Sequence, residues 1–139
     1  MAKTVREAMT SNPRTTSSSE SLKDAAQIMK SEDVGSVPVV DEGRLVGVVT
    51  DRDITIRGVA EGADARTTNV GDVASHDLVT VEPEEDLDDA LALMARHRVR
   101  RLMVVESGRL VGILAQADLA EEVKEKKTGE LVEEISKPR

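Results

Sequence analysis

The pentapeptide Gly43-Arg44-Leu45-Val46-Gly47 occurs a second time, letter for letter, as Gly108-Arg109-Leu110-Val111-Gly112. The offset of 65 residues brings the flanking sequence into register without a gap, as far as Asp53 and Asp118. Self-similarity at a fixed period is the sequence signature of a repeated structural unit. The chain therefore consists of two copies of one supersecondary unit.

Each copy has the same predicted order of elements, which is strand, helix, strand, strand, helix. Ser21-Leu22-Lys23-Asp24 and Asp86-Leu87-Asp88-Asp89 look like capping boxes, and apolar residues recur at helical spacing behind them. Two β-branched runs follow, joined by Asp41-Glu42-Gly43-Arg44, which indicates a hairpin because glycine accepts a positive φ. We expect the second helix to start after Thr50, and its twin to start after Ala115.

The repeat divides the chain into four predicted segments. We expect the first repeat at residues 8–63, a linker at 64–72, the second repeat at 73–128 and a charged tail at 129–139.

The amino-acid composition excludes several kinds of functional site. Because the 139 residues include no cysteine, disulfides, thiol nucleophiles and cysteine-zinc sites are excluded.

Charge and hydropathy limit the partners and the cellular location that we expect for the protein. The formal net charge is −8 and there is no aromatic residue, which argues against nucleic acid and against anionic membranes as partners. The sequence carries no apolar run long enough to span a membrane and no apolar signal segment at its start. We therefore expect a cytoplasmic protein.

Three features together resemble a tandem pair of CBS (cystathionine-β-synthase) domains. They are Val37-Pro38-Val39-Val40, the repeated hairpin pentapeptide, and the stretch Gly47-Val48-Val49-Thr50-Asp51-Arg52-Asp53. The resemblance covers roughly residues 5–122 and extends to small free-standing bacterial members of the hypoxic-response type. It implies an α/β (α+β) fold in which two βαββα repeats pack as a pseudo-twofold pair and form a disc-like homodimer.

The resemblance also implies a regulatory function without enzyme activity. Many members of the family bind an adenosine-containing ligand in a cleft between the repeats and signal to a downstream protein, which is unknown here. AMP, ADP or ATP is the expected ligand, and S-adenosylmethionine and NAD rank lower. The alternative is a structural dimer that has lost ligand binding. Residues Ala90, Leu91 and Met94 would lie on the helix faces presented to a second copy.

Thr50 and Asp53 are the first candidate ligand contacts, because they lie where a strand turns into a helix. A carboxylate can accept hydrogen bonds from ribose hydroxyls, and Gly47 would let a ligand approach the backbone. The same Thr-x-x-Asp spacing is also a plain capping box, and both interpretations remain open. The resemblance implies that the two residues hold the ribose and the adjacent phosphate.

Arg100 and Arg101 are the second candidates, within the run Arg96-His97-Arg98-Val99-Arg100-Arg101. They could be cations that complement the C-terminal dipole of a helix, or they could clamp a phosphate. The resemblance implies that they reach the ligand whose ribose the other repeat holds. The expected apolar walls for the adenine are Val37, Pro38, Leu78 and Val79.

The second cleft is expected to be weaker, so that one ligand binds per chain. It keeps Asp118, but Ala115 replaces Thr50, and Gly35 and Ser36 replace the arginine pair. No catalytic or metal site is predicted. The two histidines are isolated, and no histidine lies near the serines at 17–19.

Overall fold

A computed structural model describes residues 3–117, which form two compact units. The first-repeat unit consists of Asn12–Leu78 and Ser107–Leu110. The second-repeat unit consists of Val79–Glu106 together with residues 3–11 and 111–117. Both units contain helices and strands, which confirms the mixed α+β class expected from the sequence.

The helices and strands are, in chain order, α1 (Val5–Ala8), β1 (Thr10–Ser11), α2 (Leu22–Glu32), β2 (Ser36–Asp41), β3 (Arg44–Thr50), α3 (Asp51–Asp53), β4 (Thr80–Val81), α4 (Leu87–His97), β5 (Arg101–Glu106) and β6 (Arg109–Ala115). The long helices and strands follow the predicted order. The sequence did not predict α1 and β1, and the first strand expected in the first repeat is reduced to a single bridge at Thr16. The described part of the chain contains no helix long and apolar enough to cross a bilayer.

The main helices α2 and α4 begin differently, although the sequence predicts a capping box at both. Ser21 Oγ accepts a hydrogen bond from the Asp24 backbone N–H over 3.1 Å at the start of α2. Asp86 makes no such side-chain bond at the start of α4, so the capping box predicted there is wrong. The Leu87 backbone N–H donates instead to the Lys3 carbonyl oxygen over 2.9 Å.

The first-repeat unit is built around the β2–β3 hairpin. The strands pair antiparallel, with Ser36 opposite Thr50. The predicted turn is confirmed, because Gly43 has a φ of 82°. Thr16 lies parallel to β2, and Ser75 pairs with Val48 on the far side of β3.

The second-repeat unit has the same strand arrangement. Strand β4 pairs parallel with β5, β6 lies next to β5, and β1 pairs antiparallel with β6, Thr10 opposite Ile113. Thr10 and Ser75 are separated by the repeat offset, and so are Ile113 and Val48. Each unit therefore includes a segment from the beginning of the other repeat.

Each unit has its own apolar core, and the two cores use equivalent positions. The first contains Leu22, Ala25, Ile28, Met29, Val37, Val39, Val49, Val70, Val73 and Ala74. The second contains Val5, Val81, Leu87, Ala90, Met94, Leu102, Val104 and Leu114. Val70, which the sequence analysis assigned to the linker, is fully buried, and its N–H donates to the Glu20 carbonyl oxygen over 2.7 Å.

The second helix of the first repeat is irregular. After α3 the chain makes a π-helical turn at Ile54–Gly58 and a 3₁₀ turn at Val59–Glu61. The predicted twin starts with helical residues 116 and 117. The rest of that helix, the tail at 129–139 and Asp118 lie outside the described residues.

Candidate functional site

Thr50 and Asp53 form a reciprocal capping box at the junction of β3 and α3. Thr50 Oγ1 accepts from the Asp53 backbone N–H over 3.0 Å, and Asp53 Oδ2 accepts from the Thr50 backbone N–H over 3.0 Å. The capping interpretation is therefore correct. A ligand contact by the same pair stays a prediction.

Ser75 is a third member of this cluster, and no local sequence pattern predicts it. Its hydroxyl donates to Asp53 Oδ1 at 3.3 Å and to Oδ2 at 3.4 Å. Its backbone exchanges two hydrogen bonds with Val48, of 2.9 and 2.8 Å, so the position of the residue is well determined. Asp53 is only 9% exposed, so most of its carboxylate is surrounded by groups of the chain itself.

The absence of a side chain at Gly47 serves the fold of the first-repeat unit. A methyl group there would come within 2.8 Å of the Ser75 carbonyl oxygen and 3.2 Å of His76 Nδ1. His76 Nδ1 donates to the Val46 carbonyl oxygen over 2.9 Å, so the ring carries a hydrogen on Nδ1. The sequence led us to expect that a ligand approaches the backbone at Gly47, but Ser75 and His76 occupy that space.

The expected apolar walls lie in two places. Val37 and Pro38 are buried in β2, where Val37 faces Val49 across the hairpin. Leu78 and Val79 are half-buried just before β4. Their contact with an adenine ring stays a prediction.

Arg100 and Arg101 lie in the second-repeat unit, between α4 and β5. Arg100 is exposed, and its carbonyl oxygen accepts from the Gln116 N–H over 2.8 Å. Arg101 is half-buried and begins β5. The last turn of α4 carries Arg96 and His97, as expected for cations that complement a helix dipole. A phosphate contact by the arginine pair stays a prediction.

The first-repeat unit carries a surface depression that is lined by other residues than the predicted ligand contacts. A shallow depression of about 370 Å³ lies along α2. Its lining consists of Arg14, Glu20, Asp24, Gln27, Ile28 and Ser31. Within residues 3–117, no group of three or more His, Cys, Asp or Glu side chains could hold a metal ion.

Residues 5–57 and 70–125 each match the family model for the CBS domain. The chain belongs to the CBS domain family. The resemblance inferred from the sequence is thereby confirmed. The two matches begin at Val5 and Val70, so each CBS domain contributes its first segment to the unit of the other.

Two curated relatives resemble the CBS pair over most of their length. CBS domain-containing protein YhcV of Bacillus subtilis is 45% identical over 116 residues, which cover 84% of this chain and 82% of that protein. Hypoxic response protein 1 of Mycobacterium tuberculosis is 36% identical over 136 residues, covering 97% and 95%. Inosine-5′-monophosphate dehydrogenase of Nitrosopumilus maritimus is 32% identical over 113 residues, which cover 80% of this chain but only 22% of that protein.

Three solved structures share the fold of the CBS pair. The structure of Hypoxic Response Protein I with two coordinated zinc ions has a TM-score of 0.78 at 38% identity, covering 86% of this chain and 98% of that one. CBSX2 in complex with AMP has a TM-score of 0.77 at 29% identity, covering 89% and 98%. The CBS pair of MJ0100, in complex with 5′-methylthioadenosine and S-adenosyl-L-methionine, has a TM-score of 0.78 at 26% identity, covering 91% and 100%.

Proposed function

We propose that this CBS pair is a non-catalytic regulatory module of the cytoplasm that binds AMP, ADP or ATP. Ligand binding changes its conformation, and a partner protein responds to that change. The observation that carries the proposal is the Thr50–Asp53 cluster, a largely buried carboxylate held at the junction of a strand and a helix. Two structural relatives of the chain hold adenosine compounds.

Within this proposal Asp53 accepts hydrogen bonds from the ribose hydroxyls. Arg100 and Arg101 bind the phosphates, since a guanidinium forms charge-assisted bonds with phosphate oxygens. Val37, Pro38, Leu78 and Val79 surround the adenine.

The second cleft is proposed to bind a phosphorylated ligand poorly. Ala115, at the end of β6, has no hydroxyl in the place of Thr50. Gly35 and Ser36 carry no charge in the place of the arginine pair. Burying phosphate without cationic partners is costly, so Asp118 alone would not hold a nucleotide, and one ligand binds per chain.

A thermal-shift screen with AMP, ADP, ATP, S-adenosylmethionine and NAD, followed by calorimetry, tests the proposal. A ligand at 100 times its Kd adds about 2.7 kcal/mol to the free energy of unfolding, which raises the melting temperature measurably. The expected result is a shift with at least one adenine nucleotide and one site per chain. No shift with any of the five compounds, or two equivalent sites, would contradict it.

Arg100→Ala tests the phosphate contact. Loss of a charge-assisted hydrogen bond should weaken nucleotide binding by about 1–3 kcal/mol. Arg96→Ala is the matched control, because it removes the same charge from the last turn of α4 without touching a proposed contact. Equal losses of affinity from both variants would mean that general charge, and not the Arg100 contact, determines the binding.

The alternative function is a dimer that binds no nucleotide. It is favoured by one observation, that Thr50 and Ser75 already donate hydrogen bonds to both oxygens of Asp53. The homodimer itself is part of both proposals, and Leu91 on α4 is 40% exposed. Ala90 and Met94, expected on the same face, are buried in the core of their own unit. Sedimentation of a 15.0 kDa species at tens of micromolar would exclude a stable dimer.

A further inference from the structure

The Ser75 hydroxyl donates to both oxygens of Asp53, the carboxylate that we propose to bind the ribose. We propose that Ser75 is a positioning residue for ribose recognition, acting through Asp53. This inference rests on the proposed function, and it adds a residue from outside the Thr50–Asp53 capping box.

The geometry constrains the rotation of the Asp53 side chain. Oδ2 accepts from the Thr50 N–H over 3.0 Å, which fixes one oxygen at the start of α3. The Ser75 hydroxyl lies 3.3 Å from Oδ1 and 3.4 Å from Oδ2, so it bridges the two oxygens and opposes rotation of the carboxylate about its own axis. A carboxylate held in one orientation binds two adjacent hydroxyls better than one that must be ordered on binding.

The position of Ser75 is itself fixed by the backbone. Its N–H donates to the Val48 carbonyl oxygen over 2.8 Å, and its carbonyl oxygen accepts from the Val48 N–H over 2.9 Å. The carbonyl also lies against Gly47, where a methyl group would approach within 2.8 Å. The hydroxyl therefore reaches Asp53 from a rigid support on β3.

The test compares two probes on three variants. AMP carries both ribose hydroxyls, and 2′,3′-dideoxyadenosine 5′-monophosphate carries neither, so only AMP depends on the orientation of Asp53. Ser75→Ala should weaken AMP binding roughly three- to tenfold, the usual cost of ordering one side chain on binding, and leave the dideoxy compound unchanged. Ser75→Thr keeps the hydroxyl and should preserve the affinity of the unaltered chain for AMP.

Thr10→Ala is the control, because Thr10 occupies the position equivalent to Ser75 in the second-repeat unit. It removes a hydroxyl from an edge segment without touching Asp53, and the preference for AMP over the dideoxy compound should not change. Melting temperatures measured alongside confirm that each variant is folded.

Four outcomes would overturn the inference. Equal losses of affinity for both probes in Ser75→Ala would mean that Ser75 only supports the fold, and unchanged or tighter AMP binding would mean that it does not orient Asp53. Should Ser75→Ala not fold, loss of the preference for AMP in the folded Ser75→Thr variant would have the same meaning. If the unaltered chain binds neither probe, this inference fails, and the proposed function fails with it only when ADP and ATP do not bind either. If the unaltered chain binds AMP and a Ser75 outcome is negative, only the inference fails.

Discussion

Thr16 places a hydroxyl in the core of the first-repeat unit. The residue is 2% exposed, and its Oγ1 has no hydrogen-bond partner among the described residues. Val81 stands at the equivalent position of the second-repeat unit, with the same parallel pairing to the neighbouring strand. A buried hydroxyl without a partner costs free energy, and valine has nearly the same shape.

Thr16→Val should therefore raise the free energy of unfolding by about 1 kcal/mol. Urea denaturation of the ligand-free protein measures the change. Thr80→Val is the control, because Thr80 is exposed and the same substitution should leave the stability nearly unchanged. A loss of stability in Thr16→Val would mean that the hydroxyl has a partner after all.

Asp41 anchors the segment that leads into α2. The Ser18 hydroxyl donates to Asp41 Oδ2 over 2.6 Å, and the Ser18 N–H donates to Oδ1 over 3.0 Å. These two bonds hold the pKa of Asp41 below its ordinary value of 3.8. Since the unfolded chain binds this proton more readily, the stabilisation is complete above pH 3.8 and is lost as the pH falls through the lower pKa of the folded state.

Asp41→Asn should lower the melting temperature at pH 7, and the difference from the unaltered chain should shrink as the pH falls below 3.8. Glu42→Gln, which removes the same charge one residue away, should show no such convergence. Melting curves between pH 7 and pH 3 measure both effects. A difference that is independent of pH would contradict the assignment of the two bonds to the ionised carboxylate.

The sequence predicted part of the candidate site at the residue scale. Thr50 and Asp53 were identifiable because a capping box is a local pattern with a fixed spacing. Ser75 could not be found that way, because it contacts Asp53 from 22 positions further along the chain. The repeat offset relates the pairing of Ser75 with Val48 to that of Thr10 with Ile113, but neither pairing can be read from the sequence.

The N-termini of α2 and α4 show how equivalent elements can be stabilised differently. The side chain of Ser21 caps α2, whereas Asp86 caps nothing with its side chain. Ser21→Ala should lower the free energy of unfolding by about 1 kcal/mol, the usual effect of losing an N-cap. Asp86→Ala should have a smaller effect on the cap. Denaturation of the two variants measures the difference, and equal losses would contradict it.

The elements themselves were largely predictable, because helical periodicity and β-branched runs are local. One exception is the helix after Thr50, which becomes a π-helical turn at Ile54–Gly58. At Gly58 a methyl group would come within 2.9 Å of Leu22 Cδ1. Close packing against α2 involves residues far apart in the chain, and hydrophobic periodicity within one segment cannot predict it.

At the scale of the whole molecule, the two structural units do not coincide with the two sequence repeats. Each unit contains a segment that the sequence places in the other repeat. Sequence similarity could not reveal this, because an offset of 65 aligns residues 5–11 with 70–76 without saying in which unit either segment packs. The structure assigns residues 3–11 to the second-repeat unit and residues through Leu78 to the first. The connection at 64–72 contributes Val70 to a core, and its Thr68 carbonyl oxygen accepts a hydrogen bond from the Leu22 N–H at the start of α2 over 3.1 Å.

Val5 and Val70 are the residues through which each exchanged segment enters a core. Both are 0% exposed, Val5 in the second-repeat unit and Val70 in the first. Replacing either with alanine removes two methyl groups and should cost about 2 kcal/mol.

The two variants should loosen different parts of the molecule. Hydrogen exchange measures local opening, and the amides of β2 and β5 report on the first-repeat and second-repeat units respectively. Val5→Ala should speed exchange mainly in β5 although it lies in the first CBS domain, and Val70→Ala should do so mainly in β2 although it lies in the second. If Val5→Ala loosened β2 first, each CBS domain would retain its own initial segment, and the crossed composition of the two units would be wrong.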